Sequence, residues 1–243
     1  MKILSMDTSN QSLSVALWED GHVLAESILN IKKNHSLTLM PEIDRLLQSV
    51  GWVPKDLTRI VTSVGPGSYT GIRIAVTTAK TLAYALNIEL VGVSTLEVLA
   101  CNVLSIHGLA IPMIDARRNN VYVGVFNTDG INVLQPMEDR HISVEQFLNE
   151  LAKWGNEQLY FLGDSFRFKE EILAHFPHAE IMEDEYQNIP HAAILAKLGA
   201  EKTPSDVHNF LPNYLKRVEA EEKWLEKNGQ KGTFEDENYV EKI

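Results

Sequence analysis

Apolar residues fill Lys2 to Asp7 and then alternate with small or polar ones at Leu13, Val15 and Leu17, the marks of a buried strand followed by a half-buried one. Asp20-Gly21 predicts a hairpin turn, and a third strand follows from Val23 to about Ile28. Leu39, Ile43, Leu46, Leu47 and Val50 then recur at helical spacing. Pro41 is expected to kink or restart that helix, because it lacks a backbone donor. Ile60 to Val64 reads as a strand, Gly71 to Asn87 as a helix and Leu90 to Val93 as another strand. Ser94 with Glu97 reads as a capping box opening a helix through Leu99 and Val103.

The second half repeats this order. A strand from Ala110 ends at Asp115 as the first strand ends at Asp7, and Val121, Val123 and Val125 alternate toward a turn at Asp129-Gly130. Nearly the same distance separates each strand-end aspartate from its turn. Ile131 to Leu134 predicts the third strand, and Ser143 with Gln146 a second capping box before Val144, Phe147, Leu148 and Leu151. A strand at Leu159 to Leu162, a helix near Arg167 to His175, a short strand at Ala179 to Met182 and a helix from Ala192 to Gly199 complete the unit. Two tandem units of three hairpin-linked strands followed by helix-linked parallel strands predict a duplicated α/β fold. This is the two-lobed plan of actin, Hsp70 and hexokinase. The expected boundaries are 1–108 for the first lobe, 109–215 for a smaller second lobe and 216–243 for a charged C-terminal tail.

Composition narrows the function. The chain has 243 residues, 44% of them hydrophobic, enough for an ordinary core. A formal charge of −11 is the wrong sign for the main nucleic-acid contact, so any nucleic acid should be met through a partner. Cys101 is the single cysteine, which excludes an intrachain disulfide and any Cys-x-x-Cys pair. The N-terminus lacks a signal-peptide pattern and no apolar run is long enough to span a bilayer, so a soluble, cytoplasmic protein is expected.

Kinase-like relatives of such a fold hold ATP between the lobes, where glycine-rich turns admit its phosphates. Here the turn after Asp7 runs Thr8-Ser9-Asn10-Gln11 and that after Asp115 runs Ala116 to Asn120, with Arg117 and Arg118 in it and no glycine in either. The cleft of Asp7, Thr8, Ser9, Asp115, Arg117 and Arg118 therefore reads as degraded. Its aspartates are open to two readings, hydrated Mg²⁺ or bonding to turn amides, and its arginines to two, an anion or surface ion pairs. The densest motif is Gly65-Pro66-Gly67-Ser68-Tyr69-Thr70-Gly71-Ile72-Arg73. It matches neither a Walker A loop nor G-x-G-x-x-G, and Ser68 lacks the esterase elbow. As a tight loop feeding a helix N-terminus, it can receive an anion, a nucleotide or a partner's carboxylate, or simply seat the helix. Ala75, Ala79 and Ala83 beside Ile72 and Val76 leave room for close approach of another element. With Leu39, Ile43, Leu46 and Leu47 they predict an apolar partner surface, the alternative being that both helices only cover their own sheet. His35 precedes Ser36, the expected helix cap. The scattered histidines predict no metal site and no residue is assigned as catalytic.

Ile3 to Ser9, Gly65 to Arg73 and Asp115 to Tyr122 together resemble the TsaB (YeaZ) family, as do His35-Ser36 and Pro212 to Leu215. The resemblance implies a non-catalytic subunit in threonylcarbamoylation of N6 of adenosine 37 in tRNAs that read ANN codons. It implies pairing, through first-lobe helices, with TsaD, a paralogous metal-bearing transferase, and participation of the ATPase TsaE. It implies ATP, ADP and Mg²⁺ at those partners, with nothing bound firmly here. TsaD-like subunits carry an H-x-x-x-H motif where this chain has Ser94 to Ala100 without histidine. The competing expectations are an enzyme acting alone, a sugar-kinase-like ATPase or a peptidase, and self-association as a homodimer in isolation.

Overall fold

The computed structural model describes residues 1–31, 34–129 and 133–216. In the first lobe the strands are β1 (Lys2–Asp7), β2 (Leu13–Glu19), β3 (His22–Leu29), β4 (Arg59–Gly65) and β5 (Glu89–Ser94). The helices are α1 (His35–Ser49), α2 (Tyr69–Leu86) and α3 (Thr95–Ala100). The sheet order is β3-β2-β1-β4-β5, antiparallel across β1, β2 and β3 and parallel from β1 to β5. The second lobe holds β6 (His107–Asp115), β7 (Asn120–Asp129), β8 (Val133–Ser143), α4 (Val144–Leu151), β9 (Leu159–Gly163), α5 (Lys169–His175) and β10 (Glu180–Ile181). Its order, β8-β7-β6-β9-β10, is the same arrangement strand for strand. The duplicated actin-like fold is therefore present as expected.

Several local details differ. α1 runs unbroken through Pro41, and its cap is Asn34, whose Oδ1 accepts from the Ser36 amide at 3.1 Å, so Ser36 lies inside the first turn. Both capping boxes are half formed. Ser94 and Ser143 accept helix amides, but Glu97 pairs with Lys202 at 2.8 Å and the Gln146 amide turns to Glu150 at 3.0 Å. β8 extends to Ser143, well past the expected Leu134, and a 3-10 turn at Asp164–Phe168 precedes α5. Gly130 and Ile131, placed in a turn and a strand by pattern, lie outside the described residues, as do residues 217–243 of the tail.

Residues 192–215, expected with the second lobe, pack on the sheet of the first. After the second sheet the chain returns to the first lobe, where α6 (Ala192–Glu201) packs Leu195 and Ala196 onto Ile3, Val61 and Val91. Arg59, 6% exposed, donates to the carbonyls of Gly199 at 2.7 Å and Ala200 at 3.0 Å while pairing with Glu89. A cation there meets the negative end of α6. The strap that follows, residues 203–216, is laced on by the Ser205 amide to the Leu90 carbonyl and the Asn213 amide to the Val64 carbonyl, both 2.8 Å. Phe210 enters the first lobe's core. α3 joins the lobes, its Leu96, Leu99 and Ala100 packing with Ile114, Phe126 and Leu162 of the second.

The start of α6 is held electrostatically. Glu26 Oε1 accepts from the Ala193 amide at 2.9 Å and faces His191 Nδ1 at 3.7 Å, while His191 Nε2 meets the Tyr186 carbonyl at 2.8 Å. That carbonyl requires Nε2 to donate, so a neutral His191 would turn a bare Nδ1 toward a carboxylate. Burial pulls the imidazole down, but hydrogen bonds to Glu26 and to Tyr186 and the Glu26 charge leave it raised. Burial pushes Glu26 up, but His191, the Ala193 amide and Ser14 leave it lowered. A lowered carboxylate stabilises above its unfolded value, about 4.3, and a raised imidazole stabilises below its own, about 6.5. The contribution is therefore greatest between these values, is lost on the acid side as Glu26 protonates and on the alkaline side as His191 deprotonates. Urea midpoints measured from pH 4 to 9 should show wild-type stability exceeding that of Glu26→Gln by about 1.5–3 kcal/mol near pH 6, the gap closing toward pH 9. Parallel curves for the two proteins would exclude the pair as its source.

Candidate functional site

The Gly65-to-Arg73 loop joins β4 to α2, and its glycines are demanded by the β1–β2 hairpin. The Ser68 amide donates to the Ser9 carbonyl at 2.7 Å, and Thr8 Oγ1 donates to the Gly71 carbonyl at 2.7 Å. A Cβ on Gly67 would stand 2.5 Å from the Ser9 oxygen, and one on Gly71 only 2.0 Å from the Thr8 oxygen. Ser68 caps α2 by accepting from the Gly71 amide at 3.3 Å. The close partner of this backbone is the protein's own hairpin.

A cleft of about 510 Å³ opens between the lobes, with Ser9, Asn10, Ser68, Ala116, Arg117 and Asp164 on its walls. Asp115 lines it, whereas Asp7, on the equivalent hairpin, is buried away from its surface, and both carboxylates are already committed. Asp7 is buried and accepts from both the amide and the hydroxyl of Ser9 at 3.0 Å. Burial pushes its carboxyl up, against hydrogen bonds from Ser9 and the nearby His35. Asp115 accepts from the Arg117 amide at 2.8 Å and pairs with Arg167, while its own amide donates to Asp164 at 2.9 Å. Bonding to turn amides is thus the reading of the aspartates that the geometry follows. Arg117, Arg118 and Asn119 take left-handed φ of 66°, 53° and 56°, conformations that glycine adopts without the Cβ cost they carry. A magnesium–triphosphate does not fit these residues as they stand: the carboxylates serve the turns, and side chains stand where a phosphate needs bare backbone.

The partner surface needs a correction. Leu39, Ile43, Leu46, Leu47, Ile72, Ala75, Val76, Ala79 and Ala83 are all buried in the first lobe's own core and leave almost no surface of their own for another subunit. The alanines seat α2 on the sheet. What the two helices offer outward is a different set, including Leu37 at 71% exposure, Met40 at 47% and Tyr84 at 67%. Two grooves flank α2. One, about 460 Å³, lies toward α1 among Ser36, Met40, Tyr69, Arg73 and Thr77; the other, about 550 Å³, lies toward the strap among Arg73, Lys80, Tyr84, Phe210 and Leu211. Leu37 and Tyr84 are legible in the sequence as apolar residues out of phase with the core stripe of their helices, whereas Met40, three residues before Ile43 and seven before Leu47, shares the spacing of the stripe.

Among the described residues no group of three or more His, Cys, Asp or Glu is placed to hold a metal, and no helix is long and apolar enough to cross a membrane. The family model described as TsaD, tRNA N6-adenosine threonylcarbamoyltransferase, matches residues 22–224. The chain is 41% identical over 227 residues to the tRNA threonylcarbamoyladenosine biosynthesis protein TsaB of Bacillus subtilis, covering 93% of this chain and 99% of that one. It is 31% identical over 152 residues to the Escherichia coli TsaB, covering 62% of this chain and 65% of that one. Among solved structures, YeaZ from Pseudomonas aeruginosa superposes with a TM-score of 0.73 at 26% identity, over 88% of this chain and 99% of that one.

Proposed function

The chain belongs to the TsaB (YeaZ) family, and on that premise we propose that it serves tRNA threonylcarbamoyladenosine formation as a scaffold subunit for a TsaD-like transferase. The observation that carries the reading is the outward face of α1 and α2, where large apolar side chains stand exposed beside two grooves. Exposed apolar residues grouped in this way mark a contact surface. A paralogous partner built on the same duplicated fold has an equivalent helix pair to offer, which makes a pseudo-twofold pairing geometrically natural. A committed set of cleft carboxylates supports the same division of labour, with nucleotide and Mg²⁺ handled by the TsaD-like and TsaE-like proteins. The charge of −11 supports tRNA contact through those partners.

The test places charge on the exposed face without touching the core. Leu37→Glu with Met40→Glu should leave thermal unfolding within about 2–4 °C of wild type, a change of about 1 kcal/mol. The same variant should lose at least tenfold in co-purification with the TsaD-like protein of the same organism, and in tRNA threonylcarbamoylation by the mixture. Full retention of partner and modification by this variant would show that the subunit contacts lie elsewhere.

A further inference from the structure

We propose that the acidic, aromatic stretch Phe234–Glu241 of the chain's own C-terminal tail docks in the groove between α2 and the 203–216 strap. The groove exposes Tyr84 and Leu211 over a floor of the largely buried Val76 and Phe210, beside two cations, Arg73 and Lys80. Neither cation pairs with a carboxylate among the described residues. Arg73 donates to Tyr69 Oη at 2.9 Å, and Lys80 Nζ donates to the carbonyls of His208 at 2.7 Å and Phe210 at 3.2 Å. In a chain of net charge −11, two such cations beside exposed apolar surface call for an occupant that is both anionic and apolar.

The stretch Phe234-Glu235-Asp236-Glu237-Asn238-Tyr239-Val240-Glu241 has that chemistry: four carboxylates, three apolar or aromatic side chains and no basic residue. Its attachment is also suitable. The described chain ends at Lys216, two residues beyond Tyr214, which lines the same groove and stacks on Tyr69 at 4.9 Å between ring centres. The residues between Lys216 and Phe234 reach up to about 60 Å when extended, against about 27 Å for the whole of α2. Tethering at that distance gives an effective concentration on the order of millimolar, which favours this segment over a free protein of similar sequence. The family model's match stops at residue 224, so this stretch lies beyond the part of the chain it matches.

The full chain carrying Thr81→Cys in the groove and Tyr239→Cys in the tail tests the docking under mild oxidation. Cys101 is buried, with its thiol pushed up to about 12 by burial and by Glu97, and stays out of the reaction. An intrachain disulfide should form at least tenfold faster than in the control pairing Thr81→Cys with Gly229→Cys, and adding Arg73→Glu should abolish that advantage. Equal rates for the two pairings, a disulfide between two chains, or none, would each overturn the proposal.

Discussion

Ala79→Arg will unfold the first lobe before it can report on any partner. Ala79 is fully buried, in the middle of the Ala75, Ala79 and Ala83 row that lets α2 lie on its sheet. An arginine there must push α2 off the sheet or bury an unpaired guanidinium in the first lobe's core, to which Leu4, Met6 and Ile60 belong. Overpacking alone costs about 1–3 kcal/mol, and an uncompensated buried charge adds several more. A total of about 5 kcal/mol approaches the whole stability of a typical domain. The measurement is soluble yield and the urea midpoint of the variant beside Leu37→Glu with Met40→Glu. Collapse of the first with preservation of the second separates core from surface on the same two helices. A soluble Ala79→Arg protein with wild-type unfolding would mean that α2 has no sheet behind it.

Core and surface on these two helices are not separated by sequence order alone. Hydrophobic periodicity identifies Leu39, Ile43 and Ile72 as an apolar stripe, but a stripe does not say what covers it, and here their own sheet does. The duplication was legible because Asp7 and Asp115 end equivalent strands at similar distances from their turns, a local regularity that survives in one dimension. The return of α6 to the first lobe was not, because Leu195 and Ala196 would look the same against either sheet. What selects the first is Arg59, far back in the chain, together with Glu26 and Ser14 at the other end of the helix. The committed cleft was half visible: turns without glycine were plain, whereas the capture of Asp115 by Arg167 needed two elements brought together in space.

Gly71→Ala, a change that ordinarily strengthens a helix, should weaken this one severely. In the first turn of α2 alanine offers at most about 1 kcal/mol of helix propensity over glycine. Against this, the added methyl would stand 2.0 Å from the Thr8 carbonyl oxygen, a backbone atom that cannot rotate away. Relief requires opening the hairpin from the loop, losing the Thr8-to-Gly71 and Ser68-to-Ser9 hydrogen bonds, both 2.7 Å. Two bonds at about 1 kcal/mol each and an overpacking cost of about 1–3 kcal/mol outweigh the propensity gain. The net loss of about 2–4 kcal/mol corresponds to a melting temperature lower by about 4–16 °C for a chain of this size. The loop's glycines then have a structural cause, the contact between β4, α2 and the first hairpin that fixes the outward angle of α2. Thermal unfolding decides between this and a phosphate cradle. If Gly71→Ala melts with the wild type and loses only affinity for a nucleotide, the loop exists for a ligand and the cleft is not committed to its own turns.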